Sequence, residues 1–592
     1  MTTTHFDAIV VGSGFGGSVM AYRLAEASLD VCLLERGKSY PPFSFPRAPH
    51  KLRNNFWDPS KGLYGLYNIW SFKGSGALVS SGLGGGSLIY ANVLIRKDEH
   101  WFIKEDLDRG GYESWPITRT DLEPHYDQVA RMMNIQKYPI HLPPYDETAK
   151  TKAMDKAAQL IRGDSVDPEA RWRLLDLAVS FRRDHVSDLD APDDRGNPPV
   201  IGEPINEEPN IHGKTRYTCV LCGECDLGCN TGSKNTLDYT YISAAKRRGA
   251  DIRDLCEVKL IAPLAGGGYE VKFLHHDPKK WEGIEVDTSD PDLFPLQTIT
   301  CDRLVLAAGT FGSPFLLFRN RDSFPRLSNR LGARFGVNGD LLSFIIRSRE
   351  KKGDKCVPRV LDPSFGPVIT SAIRLADALD GSDKKGRGFY VEDGGHPYLL
   401  GWGAELTGFV SLLRRSVHFA SMFAKYRIGL NKDADLDAEI ADLIGDCTTS
   451  KSSMPVLTMG RDIPNGNLSF DGKYLDCDWN LKRSQDYYDR VRRVVRRIAD
   501  ALNAEYMDNP SYQYLHQVLT AHPLGGCVMA DDKSHGVVDQ FGEVFGHEAL
   551  YVIDGSIMPG PVGPNPSMTI AAIADRAADA IIAKVGRRRN DG

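Results

Sequence analysis

The 592-residue chain has no uninterrupted apolar run long enough to span a bilayer. Two uncharged stretches reach that length, 74–95 and 555–574, but six glycines break the first and four prolines the second. Both read instead as loops laid against a ligand. No basic-then-apolar leader precedes the first strand, so the expectation is a cytoplasmic protein whose membrane contact, if any, is peripheral. An excess of charge of one sign is also missing. Lys and Arg number 72 against 78 Asp and Glu, a net charge of −6, which gives nucleic acid no footing. The one basic run, Arg587-Arg588-Arg589, reads as a solvated tail. Disulfides are not expected in a reducing compartment, so the clustering of the eleven cysteines carries information. The length exceeds one simple core and implies two domains.

Glycine, by contrast, recurs in patterned runs. Ala8-Ile9-Val10-Val11 is a short apolar run of the kind buried on both faces of a parallel sheet. Gly12, Gly14 and Gly17 follow in G-x-G-x-x-G spacing, then a helical stretch over 18–27, a second apolar strand over 31–34 and the acid Glu35. In such a unit the first glycine permits the tight turn, the second lets a pyrophosphate approach the backbone, and the third lets helix pack on sheet. The helix N-terminus offers free N–H groups to the phosphates. Glu35 can accept from a ribose 2′-OH and would repel a 2′-phosphate, so FAD or NAD is expected rather than NADP.

Glycines return in Gly82-Leu83-Gly84-Gly85-Gly86-Ser87-Leu88, where the interleaved leucines argue against a linker, and 88–95 reads as a strand or helix start. The pattern predicts a helix over 117–140 capped at Thr118 or Thr120, a polar surface excursion over 164–209, and strands over 259–273 and 298–308. The last of these ends in Ala307-Ala308-Gly309, a second strand-to-helix transition with Pro314 in the first turn of the helix. Val491, Val494, Val495, Ile498 and Leu502 mark an amphipathic packing helix. The stretch 409–430 carries a narrow polar stripe of Arg414, His418 and Lys425, favouring a core helix over a lid or membrane-docking surface. A buried strand from Leu550 runs into Asp554-Gly555-Ser556, followed by Gly560 to Pro566 and a helix over 569–583.

Five of these segments stand in one order: Gly12 to Gly17 with Glu35, 82–92, 307–314, His522-Pro523-Leu524-Gly525-Gly526, and Asp554 through Asn565-Pro566. In this the chain resembles, over nearly its whole length, the glucose–methanol–choline (GMC) family of flavin oxidoreductases, and its bacterial cholesterol oxidases in particular. The resemblance implies an α/β fold, α+β overall. A Rossmann-like FAD-binding domain would be assembled from 1–110, 215–340 and 516–592. A substrate domain of mainly antiparallel sheet with helices, from 111–214 and 341–515, would cap the flavin. FAD would be held by Gly12, Gly14, Phe15, Gly16, Gly17, Glu35, Gly84, Gly85, Gly86, Ser87, Asn92, Ala308, Gly309, Asp554, Gly555, Asn565 and Pro566.

The activity implied is oxidation of a secondary hydroxyl on a large apolar molecule, a 3-hydroxysteroid such as cholesterol, with O2 or an electron carrier as acceptor. A flavin dehydrogenase for long-chain or terpenoid alcohols and a non-catalytic flavin/iron–sulfur electron carrier are the alternatives. Such oxidation needs a group to take the hydroxyl proton, which a neutral imidazole suits, and His522 lies in a turn that fixes its ring. Asn565, held between prolines, can donate to the substrate oxygen. Pro564 stands where the family is expected to have valine. The glutamate that moves the steroid double bond in cholesterol oxidases matches Glu392 by order along the chain, with Glu405 as the rival.

Cys219, Cys222, Cys225 and Cys229 have the C-x₂-C-x₂-C-x₃-C spacing of a bacterial iron–sulfur loop, with Asn230 replacing the proline that usually follows. Three readings stay open: an iron–sulfur cluster, a structural zinc, and a reduced metal-free loop. A cluster would favour a dehydrogenase, its absence an oxidase.

Overall fold

The apolar run before Gly12 forms the strand His5–Val11, central in a seven-stranded sheet of the computed structural model, which describes residues 4–163, 169–184, 199–381, 386–397 and 448–591. Glu405 and the stretch 409–430 lie outside the described residues. The strand order runs Asp251–Arg253, Val31–Leu34, His5–Val11, Leu296–Leu306, Tyr269–His275, Cys256–Pro263, with Leu550–Val552 also paired to Leu296–Leu306. Pairings among the first four strands and with Leu550–Val552 are parallel. Val31–Leu34 is buried throughout, so the strand carries no polar face, and the helix Phe15–Glu26 packs on it.

The helix Phe15–Glu26 packs on Ser567–Asp591, which in turn packs on Arg119–Met132. Leu122, Tyr126 and Val129 share one core with Val19, Leu306 and Ala574, and His125 pairs with Asp575 at 2.7 Å. The helix Arg119–Met132, assigned by sequence to the substrate domain, therefore packs with the nucleotide-binding sheet. It starts at a Thr118–Asp121 capping box and ends well before 140, because the chain turns back through Asn134 in a left-handed conformation.

The second sheet has six strands, all antiparallel, in the order Arg171–Leu174, Ser371–Leu375, Phe389–Asp393, Met454–Gly460, Leu341–Ile346, Glu505–Met507. The helices Ala149–Gly163 and Gln485–Ala501 cover one face, the latter burying Val491, Val494, Val495 and Ile498 as its periodicity requires.

Four local expectations differ from the structure. The stretch 259–273 is a hairpin, Cys256–Pro263 with Tyr269–His275, since Gly266-Gly267-Gly268 closes a turn with Leu264 N–H on the Gly268 carbonyl. Residues 88–95 are neither strand nor helix beyond the 3₁₀ turn Gly85–Leu88. Pro314 sits in the second turn of Gly309–Arg319. The 164–209 excursion is in part core: Leu175, Leu177, Ala178 and Phe181 are buried, following the edge strand Arg171–Leu174. Among the described residues no helix is long and apolar enough to cross a membrane.

Candidate active site

The glycines of the first motif divide by what surrounds them. A side chain at Gly12, Gly16 or Gly17 would overlap the carbonyl of Ala307, Ile553 or Gly12 respectively, so these glycines serve close packing of strand, helix and loop. A side chain at Gly14 would meet nothing within 4 Å, and the same is true at Gly86 and Gly309. Gly14 is also the N-cap of Phe15–Glu26, so the open space lies at a helix N-terminus, where oriented N–H groups favour an anion. Phe15 is buried at the start of that helix, edge-on to Tyr90. Gly85 packs on Gly14, which brings the second glycine segment onto the first.

Ser13 ties the cradle together. Its N–H and hydroxyl donate to Glu35 Oε2 at 3.0 and 2.6 Å, and the hydroxyl accepts from Gly84 N–H at 2.9 Å. Among the described residues Glu35 Oε1 accepts only from Gly37 N–H, at 2.9 Å, and so retains capacity for a ribose hydroxyl. Burial raises the Glu35 pKa, and the Ser13 and Gly37 hydrogen bonds oppose that rise. Ser87 accepts from Leu237 N–H at 3.0 Å and donates to Gly84 at 2.7 Å, so its side chain works inside the protein.

Asp554 does the same. Its carboxylate takes Gly309 N–H and the Ser313 hydroxyl on one oxygen, and Ser556 N–H and hydroxyl on the other. It shapes the turn at Ala308 and Gly309, while Gly555 packs against Thr310 and Leu524. Asn92, in a left-handed conformation, has a fully buried side-chain amide beside the Cys225 thiol. The open space at Gly14 and Gly86 beside a helix N-terminus, and the free capacity of Glu35, fit the pyrophosphate and ribose of FAD.

His522 follows the strand Val518–Thr520 and is 14% exposed. Its Nδ1 lies 2.9 Å from both Asp340 oxygens, and among the described residues Nε2 makes no hydrogen bond. A buried carboxylate on Nδ1 holds the proton there, leaving the Nε2 lone pair as acceptor. Asp340 also accepts from Thr520 Oγ1 at 2.7 Å and Ala521 N–H at 3.0 Å. Sequence reading missed Asp340; it lies 182 residues before His522, and no local motif marks it.

Glu392 is fully buried in the strand Phe389–Asp393. Phe389 and Val391 pack with the covering helices, so the alternation of a strand sends Glu392 to the opposite face. There its carboxyl lies beside Asn565 and within electrostatic reach of Asp340, and among the described residues neither oxygen has a well-formed hydrogen bond. Burial pushes its pKa up to about 8, helped by Asp393 and Asp340 and opposed by Asn565 and Arg173. It is therefore mainly protonated at neutral pH. Asn565 Oδ1 is likewise buried without a partner among the described residues, and Pro566 leads into the helix Ser567–Asp591.

The sign of the Glu392 contribution is testable. In the unfolded chain this carboxyl titrates at about 4.3, so folding takes up a proton and stability falls as pH rises from there through about 8. Glu392→Gln removes the titration and is expected to raise Tm more at pH 8 than at pH 5. An increment that is flat or larger at pH 5 would show the acid is not held neutral.

The four cysteines surround one small cavity with Lys234, Thr231 and Ser233. Its volume, about 20 Å³, suits one water rather than a cluster. Among the described residues no three Cys, His, Asp or Glu side chains are grouped to hold a metal ion. The four thiols thus share one cavity without being grouped, among the described residues, in the way a metal site requires. Cys219 is buried and Cys222 exposed, and Cys229 contacts the Thr231 hydroxyl at 3.3 Å. Burial raises the Cys219 and Cys225 thiols; for Cys229 burial is outweighed by hydrogen bonds from Thr231 and Lys234, which lower it. Lys234 donates to the carbonyls of Leu88, Tyr90 and Cys225 at 2.9, 3.1 and 2.6 Å, fastening this loop to the second glycine segment.

Comparison with known proteins agrees with this geometry. Residues 210–321 and 457–574 match the GMC oxidoreductase family, and residues 10–40 match an NAD(P)-binding Rossmann-like domain. A cholesterol oxidase of Mycobacterium tuberculosis is 30% identical, over 97% of this chain and 90% of that protein. One from Acinetobacter baumannii is 26% identical, over 98% and 95%. A long-chain-alcohol oxidase of Arabidopsis thaliana is 21% identical, over 99% and 68%. Among solved structures, formate oxidase of Aspergillus oryzae shares the fold with a TM-score of 0.57, at 14% identity over 99% of both chains. With identity running through nearly the whole chain around a dinucleotide cradle, the protein belongs to the GMC oxidoreductase family and is an FAD-dependent oxidoreductase acting on CH–OH donors.

Proposed function

We propose that the protein oxidises a secondary hydroxyl of a large apolar molecule, a 3-hydroxysteroid such as cholesterol, to the ketone and then moves a ring double bond into conjugation with it. The observation that carries this reading is Glu392, a buried acid protonated at neutral pH beside Asn565. Alcohol oxidation alone needs one base and one group to orient the oxygen; a third group able to hold and return a proton suits a second, carbon-to-carbon proton transfer.

FAD, held by Glu35 and the open glycine face, would supply the acceptor for the hydride that leaves the carbinol carbon. His522 Nε2 takes the hydroxyl proton, so the alcohol loses one proton and one hydride and becomes the carbonyl. Asp340 stabilises the imidazolium that results. The Asn565 amide orients the oxygen and donates to it as the C–O bond gains double-bond character. For isomerisation, the fraction of Glu392 that has lost its proton would remove one from the ring carbon next to the carbonyl and return it at the far end of the displaced double bond, a fraction that grows as pH approaches about 8. Glu35 and the open face at Gly14 and Gly86 would hold the cofactor. The acceptor that reoxidises it is O2 or an electron carrier, in the cytoplasm.

The experiment is an anaerobic screen in which cholesterol, a terpenoid alcohol and a long-chain primary alcohol are each mixed with the flavoprotein and the flavin absorbance followed. Bleaching by cholesterol with appearance of a conjugated ketone is expected. Bleaching only by the long-chain alcohol would favour the second reading, which the Arabidopsis relative supports. No bleaching by any alcohol would leave an electron carrier.

A further inference from the structure

Resting on the reading that His522 and Asn565 carry the chemistry, we infer that residues 335–340 are a single brace that sets both side chains in register, with Asp340 and Asn338 as its positioning residues. The segment leaves the nucleotide-binding half and enters the strand Leu341–Ile346 of the antiparallel sheet. It touches the His522 loop at three points. Gly336 and Leu524 exchange N–H donors and carbonyls, 3.0 Å each way. The Val337 carbonyl accepts from Thr520 Oγ1 at 3.2 Å, and Asp340 holds Thr520, Ala521 and the His522 ring.

The same segment holds the Asn565 loop through Asn338. Its Oδ1 accepts from Gly563 N–H at 2.9 Å, and its Nδ2 donates to the Pro564 carbonyl at 3.2 Å. Asn338 is fully buried and adopts a left-handed φ of +53°, a conformation asparagine tolerates better than most residues. Its own carbonyl accepts from Gly460 N–H at 3.0 Å, and the Gly339 carbonyl accepts from the Tyr487 hydroxyl at 2.8 Å. The Val337 N–H donates to Asp462 at 3.1 Å, which anchors the turn to the substrate half.

Two loops that approach the site from separate parts of the chain are thereby referred to one rigid turn. A buried side chain bonded to a loop's backbone on both sides fixes that loop's height and angle. Asp340 adds a chemical function, since it decides which imidazole nitrogen is bare. Neither residue reaches the reacting atoms except through His522 or Asn565.

The test uses the flavin-loaded enzyme and the anaerobic rate of flavin reduction by cholesterol, or by whichever alcohol the screen selects. Asp340→Asn should lower the limiting rate by about a hundred- to ten-thousandfold, because an amide donating to Nδ1 leaves the proton on Nε2. Imidazole ¹⁵N shifts should show that tautomer change, which a purely structural role would not produce. Asn338→Gly, which keeps the left-handed turn but removes the clamp, should cost about tenfold or more in the same rate. In double variants the losses should not add: Asp340→Asn should change little in a His522→Gln background, and Asn338→Gly little in Asn565→Ala.

Parental rates in Asp340→Asn and Asn338→Gly, with His522→Gln slow, would overturn the brace and leave the proposed function standing. Fully additive losses would also overturn it, in favour of general destabilisation. A parental rate in His522→Gln itself would instead remove the proposed function. Should Asp340→Asn fail to load FAD, the Asn338 and Asn565 cycle decides alone.

Discussion

His522→Gln is expected to slow reduction of the flavin by alcohol about a hundred- to ten-thousandfold, with FAD content and Tm nearly unchanged. General-base assistance typically contributes that much to a rate. Glutamine can still hydrogen-bond in the space of the ring but cannot take the proton to completion. His522 is partly exposed, and its ring is held chiefly by Asp340, so its loss removes little packing. The slowing should appear in the limiting rate of reduction at saturating alcohol, since the proton moves during the chemical step. A variant reducing its flavin as fast as the parent would refute the assignment of the base, whatever the substrate.

The second large effect concerns two neighbouring glycines. Gly14→Val is expected to fold normally and to lose FAD affinity by about a hundredfold or more, equivalent to about 2.7 kcal/mol. The backbone there has φ −69° and ψ −171°, open to any residue, and a side chain would enter free space. That space lies at the helix N-terminus where a pyrophosphate would bind, so filling it excludes the ligand, while the first side-chain carbon meets no protein atom within 4 Å. Gly16→Ala should behave in the opposite way. Its added carbon would overlap the Ile553 carbonyl, so thermal stability falls and expression suffers before binding can be measured. Equilibrium flavin titration with Tm in parallel separates the two. Full FAD affinity in Gly14→Val would show that the cradle faces something else.

Much of the nucleotide-binding half was legible because its signals are local. The spacing of Gly12, Gly14 and Gly17 and the run ending at Leu34 follow from steric demands within a few residues. The cap of Arg119–Met132 at Thr118 and the buried stripe of Gln485–Ala501 were equally local. Misreadings fell where a remote partner decided. Leu175 to Phe181 looked like surface because polar neighbours diluted the pattern, yet that segment is buried between the two halves of the molecule. The cysteine spacing left a cluster, a zinc and a metal-free loop open; the four thiols line one cavity, but among the described residues they are not grouped as metal ligands. Glu392 was ambiguous because a buried strand acid and a solvated loop acid have the same neighbours in sequence.

What the sequence by itself determined is the kind of molecule: a dinucleotide cradle built at the start of the chain and completed at 307–314 and 554–566, with a histidine in a glycine-rich turn. Glycine geometry and apolar periodicity act over a few residues, so they can be read without a fold. Tertiary structure decided that the Glu392 pKa is raised, chiefly by burial, with Asn565, Asp340 and Arg173 brought to it from remote segments. It also decided the bare nitrogen of His522, set by a carboxylate 182 residues away, and the common anchoring of two loops by the turn at 335–340. Desolvation and long-range hydrogen bonds have no sequence period; they exist only once distant segments are packed together.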